Sequence, residues 1–106
     1  YQLGQCIAKA VDKLGCRAVF VASGDLSHKL RDDGPYGYAP EGPVFDRRVT
    51  AAMESGDFLQ FLTMDPALCD RAAECGLRSF QIRSWPGCWT AWEWSRSCSA
   101  MKASLG

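Results

Sequence analysis

The sequence predicts an α/β fold, and three observations predict it. Apolar residues at helical spacing open the chain, a short β-rich apolar run (residues 17–22, RAVFVA) follows closely, and a turn-forming segment, SGDLSH, comes next. A helix passing into a buried strand and then a polar turn is the signature of an α/β layer, and the carboxyl ends of such strands are where open α/β sheets place their ligands.

Each element has a local reason. Leu3, Ile7, Val11 and Leu14 follow the 3.6-residue period, and Gly15 stands where a helix-terminating glycine belongs. Residues 17–22 read as a buried strand. Residues 31–43, RDDGPYGYAPEGP, hold three prolines and three glycines, which makes them a rigid surface loop in which Tyr36 and Tyr38 either line a pocket or simply pack. Phe45, Val49, Ala52 and Met53 form the apolar face of a second helix ending near Gly56. Asp57 can cap a short helix carrying Phe58, Leu59 and Leu62. Asp65-Pro66 is an N-cap followed by proline at the first helical position, with the helix running through Ala73. Leu77, Phe80 and Ile82 then begin another buried element.

Composition narrows the function classes. Twelve Lys and Arg balance twelve Asp and Glu, so neither a nucleic-acid footprint nor a solvating acidic tail is present. No apolar run approaches the roughly 18–20 residues of a bilayer span, and no charged n-region leads into an apolar signal core. Six cysteines include no CxxC pair and are accompanied by one histidine, which speaks against structural zinc. The expectation is a cytoplasmic chain with reduced thiols. A start on Tyr1, directly into helical periodicity, suggests a piece of something longer.

From Arg83 the character changes. All four tryptophans lie between Trp85 and Trp94, and neither structural period fits. Tryptophan and cysteine codons begin with TG, so reading one base earlier turns Trp85, Cys88, Trp89, Trp92, Trp94 and Cys98 into Leu, Val or Met. Residues 83–106 are therefore expected to be an out-of-frame tail, with a genuine Trp-rich interaction tail as the alternative; the encoding DNA decides between them.

His28, the one histidine, follows the expected strand, with Asp25 three residues earlier. An imidazole near neutral pH takes and returns a proton, and a nearby carboxylate fixes its tautomer. The blander reading makes His28 an ordinary surface or core residue and Asp25, Ser23 and Ser27 turn residues.

VFVASGDLSHKL, then DGPYGYAPEGPVFDRRV, then AAECGLRSF resemble, in that order, the class III extradiol dioxygenases of the LigB type, and most closely the dioxygenase-like domain of AmmeMemoRadiSam system proteins. The resemblance covers residues 1–82. It implies the carboxyl-terminal half of a LigB-like α/β domain, a non-haem Fe(II) site (or another divalent metal or copper), a catechol-like aromatic substrate and O2. It implies His28 as acid–base with Asp25 beside it, and Cys75 at the position of a metal ligand, where ring-cleaving relatives carry a carboxylate and Memo-like relatives a cysteine. Glu74 is the alternative ligand, and a buried helix-end cysteine the plainer reading of Cys75. The two metal histidines of the amino-terminal half have no counterpart here, so the chain alone is expected to be inactive. The resemblance also implies fusion to, or cooperation with, other AmmeMemoRadiSam proteins. Beside the dioxygenase stand two other readings: a non-enzymatic Memo-like metal-binding or redox module using Cys75, and an interaction domain.

Overall fold

The computed structural model describes residues 1–84. The expected tail lies outside the described residues from residue 85 onward; Arg83 closes a helix and Ser84 follows it.

The described chain is helical. Helix α1 spans Gln2–Leu14, α2 Glu41–Ser55, α3 Pro66–Ala72 and α4 Leu77–Arg83, with a 3-10 turn at Phe58–Leu62 between α2 and α3. The α/β expectation with a central sheet is overturned. Among the described residues there is no strand, only one isolated antiparallel bridge, Leu30 to Tyr38. Residues 17–22 carry the β-rich composition, yet Val19 is 84% and Val21 79% exposed. Strand propensity is realised only when a neighbouring segment accepts and donates ladder hydrogen bonds, and residues 17–22 form no such ladder with any described segment.

The helix boundaries follow the sequence closely. Gly15 and Gly56 terminate α1 and α2 in the left-handed conformation. The Asp65 side chain accepts the Ala67 amide at 3.1 Å, with Pro66 opening α3. Ala73 caps that helix at φ 51°, so α3 stops one residue short of the expected end. Asp57 stands at the N-cap of the 3-10 turn, but without a side-chain bond to its backbone; its carboxylate accepts from the Gln60 side chain at 2.9 Å.

One core joins these pieces. Phe45, Val49, Ala52 and Met53 of α2 meet Leu68, Cys69 and Ala72 of α3 and the aromatic pair Phe61 and Phe80, whose ring centroids are 5.6 Å apart. Fully burying a side chain such as Phe45 stabilises by roughly 1.5–3 kcal/mol. Helix α1 joins differently. Its buried residues are Gly4 and Ala8, while Leu3 and Leu14 stay exposed. Gly4 lies against the Ile82 carbonyl of α4, where a Cβ would have no room. The contact is thus a close backbone approach, and of the stripe that the periodicity marks Ile7 and Val11 are half-buried while Leu3 and Leu14 are exposed.

Candidate metal and acid–base site

The segment 23–30 carries no regular structure, yet it is firmly held. Leu26 is buried in the core. The Ser27 amide donates to Asp46 Oδ1 of α2 at 2.8 Å, and the Ser27 hydroxyl donates to the Ala72 carbonyl at the end of α3 at 2.7 Å. The Lys29 amide returns to the Ser27 hydroxyl oxygen at 3.0 Å. Burial pushes the Asp46 carboxyl above its ordinary range, partly offset by the Ser27 amide. Neither Ser27 nor Asp46 stood out in the sequence as a partner of the other.

A second junction brings a distant segment to this one. The Asp25 amide points at Cys75 Sγ at 3.3 Å, and the Cys75 amide donates to the Asp25 carbonyl at 3.4 Å. Glycines make the approach possible. A Cβ on Gly24 would collide with the Gly76 backbone and lie 2.9 Å from the Cys75 carbonyl oxygen, and one on Gly76 would lie 2.8 Å from the Asp25 carbonyl oxygen. Glu74 is engaged elsewhere, since its Oε2 accepts the Leu77 amide at 2.7 Å and satisfies the first turn of α4.

These contacts bring Asp25, His28 and Cys75 together across 50 residues of sequence. His28 Nε2 is 3.4 Å from Cys75 Sγ, and Asp25 Oδ2 lies 4.0 Å from both. A triangle with these sides (3.4, 4.0 and 4.0 Å) has a point about 2.2 Å from every corner, within the roughly 2.0–2.3 Å span of metal bonds to nitrogen, oxygen and sulfur. The donor set therefore fits one ion. Imidazole and thiolate favour Fe(II), Cu(I) and Zn(II) over hard cations. The Asp25 side chain is 77% exposed and the His28 side chain 30%, so the cluster opens to solvent.

An aromatic ring flanks the cluster. Tyr36 lies with its ring centroid 5.3 Å from that of His28, tilted by 36°. The sequence offered Tyr36 only as one of two tyrosines that either line a pocket or pack.

No helix among the described residues is long and apolar enough to cross a membrane. Residues 1–87 match the family described as the catalytic LigB subunit of aromatic ring-opening dioxygenase. Protein CA_C1420 of Clostridium acetobutylicum is 44% identical over 82 residues, which cover 77% of this chain. The chain spans 18% of the length of that relative. No solved structure matches. With 87 of 106 residues matched, the chain belongs to the LigB family of aromatic ring-opening dioxygenase catalytic subunits.

Proposed function

We propose that the chain is the carboxyl-terminal part of a metal-dependent extradiol dioxygenase-like protein that opens catecholic rings with O2, with Cys75 as a metal ligand, His28 as acid–base and Asp25 as its partner. The observation that carries this reading is the meeting of Asp25, His28 and Cys75, in which the imidazole stands 3.4 Å from the sulfur, close enough to serve a substrate at the metal as acid–base and not as a further ligand. Residues 1–82 are read as the domain segment; the family match continues to residue 87, and the residues after it are read as a tail foreign to the domain.

A bound metal, Fe(II) by family, supplies a single centre at which an aromatic diol and O2 meet. The chain supplies the rest. The Asp25 amide donates to the Cys75 sulfur at 3.3 Å and holds it in place. The Asp25 carboxylate stands 4.0 Å from His28 Nε2 as a charged neighbour of the imidazole. His28 takes a proton from the substrate hydroxyl and returns it as the ring opens. The remaining ligands are expected from residues outside these 106.

Cobalt(II) titration of the chain tests the ligand assignment. A thiolate-to-cobalt absorption band is expected, and Cys75→Ser should abolish it. His28→Ala should keep the band while removing catechol-dependent O2 uptake in the longer protein that contains this segment. Absence of the band in the unsubstituted chain sinks the ligand assignment. Metal binding without O2 uptake on any catechol favours the second reading, a non-enzymatic metal or redox module, for which the sulfur donor itself speaks.

A further inference from the structure

We infer that Tyr36 is a positioning residue for His28: its ring is the wall against which the imidazole rests, fixing the direction in which Nε2 meets Cys75 and Asp25. This rests on the acid–base reading of His28 and extends it to a residue on a different segment.

The support is the way residues 29–39 are built. The Ala39 amide donates to the Lys29 carbonyl at 3.1 Å, and Leu30 bridges Tyr38, so the loop closes at its base. Two successive turns fill it: the Gly34 amide donates to the Arg31 carbonyl at 3.2 Å and the Gly37 amide to the Gly34 carbonyl at 3.1 Å. Arg31 grips Asp33 with two hydrogen bonds, at 2.9 and 2.7 Å, across the first turn. Pro35 fixes the backbone just before Tyr36, and Gly37 just after it takes φ 68°, a conformation that suits glycine. The tyrosine is thus set from both sides by backbone constraint.

Burial does not explain it. Tyr36 is 62% exposed, so its ring is no part of the core. What it touches is His28, at 5.3 Å between centroids, a spacing favourable for ring pairs. From the opposite side, the Ser27 bonds to Asp46 and Ala72 hold the backbone of the same segment. The imidazole is therefore held between a backbone anchored in the core and a ring anchored in a rigid loop. A phenylalanine provides the same wall, because no hydroxyl contact enters the argument.

The chain has one histidine, so its imidazole signals are unambiguous in a histidine-labelled sample. In the unsubstituted 106-residue chain, nuclear Overhauser contacts between the Tyr36 ring and His28 are expected. Tyr36→Ala should move the imidazole carbon-bound proton and ring 15N shifts toward those of free histidine. Tyr36→Phe should retain the native shifts. Tyr38→Ala, in the same loop, should leave them nearer native than Tyr36→Ala does. Absence of the Overhauser contacts in the unsubstituted chain overturns the inference without any variant. So does a Tyr36→Ala chain of unchanged helical circular dichroism whose imidazole shifts do not move, or a Tyr36→Phe chain whose shifts move as far as those of Tyr36→Ala. Cobalt binding is read on the same samples. A missing thiolate band condemns the Cys75 assignment while leaving the Tyr36 result to stand or fall on the imidazole shifts.

Discussion

Gly24→Ala tests whether the meeting of two segments at Gly24 and Gly76 builds the site. The added Cβ would meet the Gly76 backbone, with the Cys75 carbonyl oxygen 2.9 Å and the Gly76 amide nitrogen 3.0 Å away. All of these are backbone atoms, so no side-chain rotation relieves the contact. Gly24 is not among the glycines at positive φ, which removes conformational strain as the cause and leaves space alone. Overpacking of this kind costs about 1–3 kcal/mol. At roughly 4–8 °C per kcal/mol for a small domain, the thermal midpoint should fall by about 4–24 °C. The site should suffer as well, because separating the backbones pulls the Asp25 amide from its 3.3 Å contact with Cys75 Sγ. Differential scanning calorimetry gives the first quantity and cobalt titration the second. Cobalt affinity should drop roughly 10- to 100-fold, the usual toll when groups that orient a metal ligand are displaced. A Gly24→Ala chain with unchanged midpoint and unchanged cobalt binding refutes the reasoning.

Other outcomes follow from the same geometry. Asp46→Ala leaves the buried Ser27 amide without its acceptor and should cost about 1–3 kcal/mol in urea unfolding, whereas Asp46→Asn keeps an acceptor oxygen and should cost less. Because burial raises the Asp46 carboxyl above its unfolded value, its contribution favours folding below the ordinary aspartate range and is lost as pH rises through the folded value. The unfolding midpoint of Asp46→Asn, measured against pH, should lack that component. Phe45→Ala opens a cavity at a fully buried position of α2 and should cost about 3–5 kcal/mol by the same assay. Burial, with Glu74, Asp65 and Asp70 nearby, pushes the Cys69 thiol up. Peptide mapping after brief maleimide treatment at neutral pH should therefore find Cys69 modified more slowly than the exposed Cys6 and Cys16.

Local signals were legible in the sequence and long-range ones were not. Gly15, Gly56 and Asp65-Pro66 announced helix ends, because caps are written in one or two adjacent residues. The face of α2 was legible because Phe45, Val49, Ala52 and Met53 sit at helical spacing around a single core. The β-rich run at 17–22 misled, since strand formation depends on a partner that composition does not reveal. The buried side of α1 was also hidden: Gly4 and Ala8 face inward because a backbone approach, invisible to hydrophobic period, decides the contact. At the site, His28 and Asp25 were marked by their place after the expected strand and Cys75 by the family blocks, but their convergence across 50 residues is a property of the fold. Asp46 carried no local signal, since its partner Ser27 lies 19 residues away.

Ser27 gives the loop it belongs to an unusual clock. Its amide is hydrogen-bonded to a buried carboxylate, and its hydroxyl ties the end of α3 to the Lys29 amide. Exchange of such an amide with solvent deuterium requires the loop to leave α2 and α3 together, an event closer to global unfolding than to loop motion. The backbone beneath the imidazole should thus keep its proton as long as the helices keep theirs. A segment without regular structure then shares the lifetime of the core.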